Sequence, residues 1–318
     1  MQILIIGVSS IVTRRVLPAL VCLSEVEKIH LASLRPPAPP ETIPGEKLGH
    51  VIQGYSEALS KIEPCVAYVS LPNSLHAEWV RRALRAGFHV IVDKPAFISL
   101  AETEELLELA NKCSLCIAEA TVWNHHPQIE LIKNLFYETG LTVTHLSATF
   151  SFPPFEPTNF RWQPHLGGGS LLDLGPYAAS CSRIFLEEPP IEIVCRINSR
   201  SERSGVDTSF CLLARYEDGR SMVGQFGFNT EYRNSVSLLG TGIFVEVDRV
   251  FTMPPDSCNQ LKVRRANNVS IVAAPPGDSF QVFLRRVLSS IQKVSWSDLT
   301  ETMLQDAQLL HRMRGCTS

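Results

Sequence analysis

Two short runs concentrate residues able to do chemistry on a carbonyl. The first is Asp93-Lys94-Pro95, directly after the apolar stretch Val90-Ile91-Val92. A carbonyl being reduced needs hydride at carbon and a proton or positive charge at oxygen, and a lysine ammonium offers both. The second run is Gly167-Gly168-Gly169-Ser170-Leu171-Leu172-Asp173-Leu174-Gly175-Pro176-Tyr177. Its glycines permit close backbone approach and unusual dihedrals. Asp173 and Tyr177 are four apart, the spacing that shares a helix face. A proline inside a helix costs ~3 kcal/mol, so Pro176 predicts a helix that starts near Asp173, with Asp173 as its cap. A tyrosine hydroxyl beside an ammonium can act as a general acid. Lys94, Tyr177 and Asp173 are the candidate catalytic residues. On residue type alone, Lys94 could equally be a surface lysine and Tyr177 a core tyrosine with a bonded hydroxyl.

A third group of runs suits a dinucleotide. Gly7-Val8-Ser9-Ser10-Ile11-Val12 leads from an apolar strand into a helical pattern, where free N–H groups and the helix dipole favour a pyrophosphate. Of the G-x-G-x-x-G fingerprint the first glycine is present, with Ser9 and Val12 at the other two positions. Ser9 is small, and its hydroxyl could donate to a phosphate. Gly7, Ser9, Ser10 and Ile11 are candidate cofactor contacts. The next strand ends Ala32-Ser33-Leu34-Arg35 without the acidic residue that usually holds the ribose hydroxyls. Ser33 and Arg35 could instead hold a 2′-phosphate, which favours NADP over NAD. Ser70-Leu71-Pro72-Asn73-Ser74-Leu75-His76 lies at a strand's C-terminal edge. From it Leu71, Pro72, Asn73 and His76 join the cofactor candidates. Asn73 or Ser74 could also be a helix N-cap, and His76 a helix-surface histidine.

The elements that must carry these runs alternate through the first third. Strands are predicted at Gln2–Gly7, Lys28–Leu34, Cys65–Leu71, His89–Asp93 and Leu115–Glu119. Helices are predicted at Ser10–Leu23, Ser74–Ala86 and Leu100–Cys113, with a loop from Pro36 to Pro40. This alternation implies βαβ units and a doubly wound parallel sheet. Beyond it come a helix at His125–Tyr137, a strand at Val143–Phe152 and a Pro-rich aromatic loop to Pro164. A helix ending near Leu186 and strands from Ile191 to about Val272 follow, then helices at Ser279–Gln292 and Asp298–Met313. Strands in a run with helices grouped apart make an α+β domain. The expected division is 1–120, an α/β Rossmann domain, and 121–318, an α+β domain for substrate and oligomerisation.

Composition narrows the partners. A formal net charge of -3 without a Lys/Arg run argues against a nucleic-acid surface. No apolar stretch approaches the ~20 residues of a membrane span, and the apolar start lacks the flank and cleavage site of a signal peptide. Nine cysteines, mostly in apolar runs, point to reduced thiols in a cytoplasmic protein. Cys113-Ser-Leu-Cys116 has C-x-x-C spacing but no second Cys or His pair, so core cysteines are favoured and no metal is expected.

Taken together the runs resemble the Gfo/Idh/MocA oxidoreductase family. The matching segments are GVSSIVTRRVLPAL (Gly7–Leu20), LPNSLHAEWVRRALRAGFHVIVDKP (Leu71–Pro95) and NFRWQPHLGGGSLLDLGPYAASCSRIFL (Asn159–Leu186). WNHHPQ (Trp123–Gln128) and Tyr232–Pro255 also fit. Within the family the pattern looks most like the nucleotide-diphospho-3-ketohexose reductases of deoxysugar pathways. The resemblance implies a Rossmann domain followed by a domain built on an open, mostly antiparallel sheet that often forms dimers or tetramers. It implies that Lys94 is the family's E-K-P lysine and main proton donor, with Tyr177 beside it in role. Asp173 would lie near substrate or nicotinamide. Arg14 or Arg15 and Arg161 would sit near the sugar or diphosphate, Arg161 also near the cofactor, with Trp162 as a slot for the base. Tyr55, Leu71 and His76 would line the cofactor. Asp93 replaces the usual glutamate, which would shift a contact to the nicotinamide ribose.

The leading expectation is therefore NADP-dependent reduction of the 3-keto group of a nucleotide-linked deoxysugar. The alternative is a free-sugar, inositol or dihydrodiol dehydrogenase working in the oxidative direction. A non-catalytic NADP-binding regulator is a third reading, opposed by the presence of both Lys94 and Tyr177.

Overall fold

The computed structural model describes residues 1–35, 41–138 and 140–317, so the expected loop from Pro36 to Pro40 lies outside the described residues. Met1–Ala120 with Phe280–Leu304 form one unit, and Thr121–Ser279 with Gln305–Ser318 form another. The expected spans 1–120 and 121–318 differ from this division in residues 280–304, which cluster with the first unit.

The first unit holds a six-stranded sheet of β1 (Gln2–Ile6), β2 (Lys28–Ser33), β3 (Leu48–Gln53), β4 (Val66–Val69), β5 (His89–Asp93) and β6 (Ile117–Ala120). The order is β3-β2-β1-β4-β5-β6, parallel throughout. Central strands such as Ile3–Ile6 and Val66–Val69 are buried residue after residue, as a sheet covered on both faces requires. The order reverses between β1 and β4, and in such sheets the ligand crevice opens outside the strands' C-terminal ends at that point.

β1 leads into a helical segment that opens at Ser10, passes through a π turn, Val12–Val16, and continues as α1 (Leu17–Val21). The sequence predicts one uniform helix here. Pro18 has no N–H to give the carbonyl four residues back, and its ring crowds that carbonyl. The helix widens just before it, and the Leu17 N–H reaches the Val12 carbonyl. β3 and α2 (Tyr55–Lys61) are absent from the predicted elements. β3 is an edge strand, and among its residues LGHVIQ one is buried, so no periodic apolar signal marks it. A 3₁₀ turn (Asn73–Leu75) precedes α3 (His76–Arg85), and α4 (Leu100–Lys112) is capped by Ser99, whose hydroxyl accepts the Glu102 N–H at 3.2 Å.

The second unit contains α5 (Pro127–Tyr137), β7 (His145–Ser151), α6 (Ser170–Leu186), β8 (Glu192–Arg200), β9 (Asp207–Arg215), β10 (Ser221–Gly227), β11 (Arg233–Gly240), β12 (Ile243–Asp248), β13 (Gln260–Arg265) and β14 (Asn268–Ala273). The eight-stranded sheet runs β14-β13-β12-β11-β7-β10-β9-β8, antiparallel except where β7 meets β10. α6 packs on β7, β9 and β10. The chain ends in α7 (Ser279–Gln292) and α8 (Ser297–Gly315). Among the described residues no helix is long and apolar enough to cross a membrane.

α6 corrects the expectation built on Pro176. It starts at Ser170, so Asp173 is in its first turn with its N–H on the Gly169 carbonyl at 3.1 Å, and Pro176 lies inside. Two features permit this. Gly175 has no Cβ to meet the proline ring, and a Cβ there would also lie 2.5 Å from Leu310 Cδ1. The start itself is held from a distant strand: the Asp207 carboxylate on β9 accepts the Ser170 hydroxyl and the Leu171 N–H, both at 2.6 Å. That tertiary cap outweighs the local preference for a later start.

Candidate active site

In the first unit the candidate residues gather where β1, β2, β4 and β5 end. Gly7 has φ +93°, and a Cβ there would stand 2.2 Å from the Ser70 carbonyl oxygen, so no other residue fits where β1 passes β4. Ser9 Oγ accepts the Val12 N–H at 3.2 Å and pairs with Ser70 Oγ at 2.7 Å. The hydroxyl expected to reach a phosphate is therefore turned inward. Ser10 is exposed and Ile11 half-buried. Ser33 Oγ accepts the Arg35 N–H at 3.4 Å, and the Arg35 side chain is exposed. Arg14 is exposed, its Nε donating to the Ser10 carbonyl at 3.2 Å, whereas Arg15 stacks over Phe280 at 4.8 Å. Tyr55 is buried edge-on to Trp79 at 4.9 Å, and burial raises its phenol pKa. Leu71 and Pro72 are half-buried, and Asn73 is buried at the start of its 3₁₀ turn.

His76 departs from its expected place against the cofactor. It is 0% exposed, with Nδ1 2.9 Å from the Pro95 carbonyl and Nε2 2.8 Å from the Leu71 carbonyl. It presents no surface to a ligand and instead ties the start of α3 to the turn after Lys94. Lys94 is half-buried at the end of β5, followed by a cis peptide to Pro95. Asp93 also departs from expectation. Its carboxylate is not turned toward a ribose site: Oδ1 accepts the Tyr68 hydroxyl at 2.6 Å, and Oδ2 accepts the Ser70 hydroxyl. Burial first, then the Asp93 carboxylate, push the Tyr68 phenol well above its ordinary pKa.

In the second unit Tyr177 sits one turn beyond Asp173 on α6. It is half-buried and edge-on to both Phe150 at 5.0 Å and Phe251 at 5.2 Å. These aromatic walls hold the ring in one orientation. Arg161 and Asp173 make a two-pronged ion pair, Nε to Oδ2 at 2.7 Å and an Nη to Oδ1 at 3.0 Å. The guanidinium also lies over Phe155 at 4.6 Å and Phe160 at 4.8 Å. Asp173, expected to act on substrate or nicotinamide, is thus buried against Arg161, and Arg161 is held by it. Trp162 is half-buried, donating to the Phe155 carbonyl at 3.3 Å and edge-on to Phe228 at 5.2 Å. The triple glycine lets the chain pass closely: a Cβ on Gly168 would lie 2.4 Å from the Arg161 carbonyl oxygen.

Sequence reasoning missed Tyr68, Ser70 and Asp207 as organising residues. Tyr68 and Ser70 share a face of β4 by strand alternation. The pairing of Val69 with Val92 sets Ser70 beside Asp93, and no pattern in either strand announces that register. Asp207 lies far along the chain from the helix it caps. The C-x-x-C pair is split: Cys113 is exposed, while burial pushes the Cys116 thiol up to about 12, which makes it inert.

Comparison with known proteins matches residues 1–121 to the oxidoreductase family with an NAD-binding Rossmann fold, and residues 142–245 to the GFO/IDH/MocA C-terminal domain. The chain belongs to the Gfo/Idh/MocA oxidoreductase family. It is 30% identical to the dTDP-3,4-didehydro-2,6-dideoxy-alpha-D-glucose 3-reductase of Saccharopolyspora spinosa, over 99% of this chain and 97% of that one. It is also 30% identical to D-xylose 1-dehydrogenase (NADP(+)) 2 of Haloferax volcanii, over 87% and 85% of the two chains. Among solved structures, a 3-ketoreductase from Actinomadura kijaniata in complex with NADP and TDP-benzene superposes with a TM-score of 0.92. That enzyme is 27% identical, and the match spans 100% of this chain and 98% of that one. As a member of the Gfo/Idh/MocA family the chain is an oxidoreductase with an NAD-binding Rossmann fold and a mostly antiparallel C-terminal sheet.

Proposed function

We propose that this oxidoreductase is an NADP-dependent reductase of the 3-keto group of a dTDP-linked deoxysugar. The observation that carries the reading is end-to-end similarity to two such 3-ketoreductases in a chain that presents Lys94 at the C-terminal end of β5 and Tyr177 against an aromatic wall. The first unit fits the cofactor: Gly7 leaves no space for a Cβ where β1 enters the helix, and Arg35 is exposed just beyond β2. Gly7, Ser10 and Ile11 would hold the pyrophosphate, and Ser33 and Arg35 the 2′-phosphate, with Tyr55, Leu71, Pro72 and Asn73 alongside. When bound, NADPH supplies the hydride. Lys94 donates the proton to the developing alkoxide, with the Tyr177 hydroxyl as second donor. Arg14 and Trp162 serve the nucleotide diphosphate, together with Arg161, which Asp173 holds in place.

Lys94→Met tests the assignment. Turnover should fall by roughly 100- to 10,000-fold while NADPH binding changes little; unchanged turnover would remove Lys94 from the chemistry. A second reading, oxidation of a free sugar with NADP, is supported by the D-xylose dehydrogenase relative. Rates with dTDP-linked 3-keto sugars against D-xylose separate the two. Self-association through the C-terminal sheet is part of the proposal. Val194, Leu213 and Val223 are exposed apolar partners in one row across β8, β9 and β10, a surface suited to a second copy. Light scattering on Leu213→Glu should show a smaller assembly than the parent. Nine free thiols fit a cytoplasmic setting.

A further inference from the structure

The substitutions that set the phosphate loop and the Lys94 turn apart from the family pattern are joined in one hydrogen-bond chain. Ser9 stands where the fingerprint has its second glycine, and Asp93 stands where the family has glutamate before the lysine. A carboxylate can only accept, so both Tyr68 and Ser70 must donate to Asp93. Ser70 has then used its proton, so at the 2.7 Å contact between the two serines Ser9 is the donor. Ser9 in turn accepts the Val12 N–H at the start of the helix. The direction is fixed from end to end: helix N–H to Ser9, Ser9 to Ser70, Ser70 to Asp93, with Tyr68 closing the other carboxylate oxygen. Tyr68 is 0% exposed and Ser70 3%, so water does not compete for these two hydroxyls, while Ser9 and Asp93 are half-buried.

We propose that Ser9, Ser70, Asp93 and Tyr68 are positioning residues that lock the phosphate loop and the Lys94 turn together. The Asp93 carboxylate at the end of β5 holds Ser70 on the neighbouring strand. The hydroxyl at position 9 is what carries that hold on to the helix start. The proposal rests on the reading of this unit as an NADPH site with Lys94 as proton donor. It predicts that restoring the family's glycine at position 9 weakens the site.

The test is NADPH binding, followed by nucleotide fluorescence, on the full-length variants S9G, S9T, S70A and S9G/S70A, with melting temperatures on each. S9G and S70A should each weaken NADPH about fivefold to tenfold. The double variant should be no weaker than the poorer single, because both cut the same chain. S9T, which keeps the hydroxyl, should restore binding to within about twofold of the parent. In turnover, S70A at saturating NADPH should lower kcat with the sugar KM unchanged, since the hold on the Lys94 turn is cut and the sugar contacts are not. Binding by S9G as tight as the parent, or a double variant whose loss is the product of the singles, overturns the proposal. Should S70A fail to fold, S9G against S9T decides alone: equal losses in both overturn it, and recovery in S9T supports it. NADPH titration uses no sugar, so failure of the ketoreductase assignment leaves this result readable.

Discussion

Two helices begin beside the candidate residues, and they are held in opposite ways. The segment that opens at Ser10 follows Gly7, and its first turn is capped by its own neighbour, Ser9. α6 follows Gly169, and its first turn is capped by Asp207, from β9. Both glycines have positive φ, +93° and +110°. What a side chain would strike differs: at Gly7 it is the fixed backbone carbonyl of Ser70 at 2.2 Å, at Gly169 the Asp207 carboxylate at 2.4 Å. The first start has a local cap, tied on to β4 through Ser70, and is wedged against the sheet. The second is assembled from afar and hangs on one side chain.

Gly7→Ala should break the first start outright. The strained φ and the clash with an immovable carbonyl together predict a loss of about 3–5 kcal/mol, read by urea denaturation, with NADPH binding abolished. A variant near parental stability would show that the β1 exit can move, and the contrast would fail. Asp207→Ala should lower stability by about 2–3 kcal/mol through two lost charge-assisted bonds at the α6 start, more than Ser9→Ala, about 1 kcal/mol for its cap and its bond to Ser70 together. Equal effects would mean that the remote cap is no more important than the local one.

Arg161→Ala sharpens the same comparison one turn further along α6. It leaves the buried Asp173 carboxylate without its guanidinium. The loss should be about 2 kcal/mol, below the full range for a buried pair because a quarter of the Arg161 side chain is exposed. The Asp173→Asn/Arg161→Ala double variant should recover part of it; a further drop would argue that Asp173 acts independently of Arg161.

The smallest effect concerns the first region at high pH. Tyr68 has its phenol raised above the ordinary value of 10.0. Above pH 10 the unfolded chain gives up this proton while the folded one keeps it. Stability therefore falls as pH rises from there through the folded pKa. Tyr68→Phe should flatten that alkaline loss in denaturation curves taken across the window. An unchanged slope would mean that the phenol titrates alike in both states.

How far the residues themselves announced this arrangement varies by element. Continuous apolar runs such as Ile3–Ile6 and Val66–Val69, each followed by a helical pattern, made the parallel sheet readable, because burial on both faces leaves no polar alternation. β3 was not readable: an edge strand pairs on one side and needs few apolar residues. Lys94 stood out through its place at a strand exit, and Tyr177 through its spacing of four from Asp173 in the run that follows the triple glycine. His76 did not betray its burial, since its partners are backbone carbonyls at Leu71, Pro95 and Ala96, which carry no sequence signature.

By itself the sequence determined the residue types at each strand end and hence the class of chemistry, because periodicity and local turn preferences act over a few neighbours. Tertiary structure alone decided where those side chains point. Asp93 turns to Ser70, Asp173 to Arg161, and Asp207 to the start of α6, since strand register and long-range packing, not local propensity, choose each carboxylate's partner.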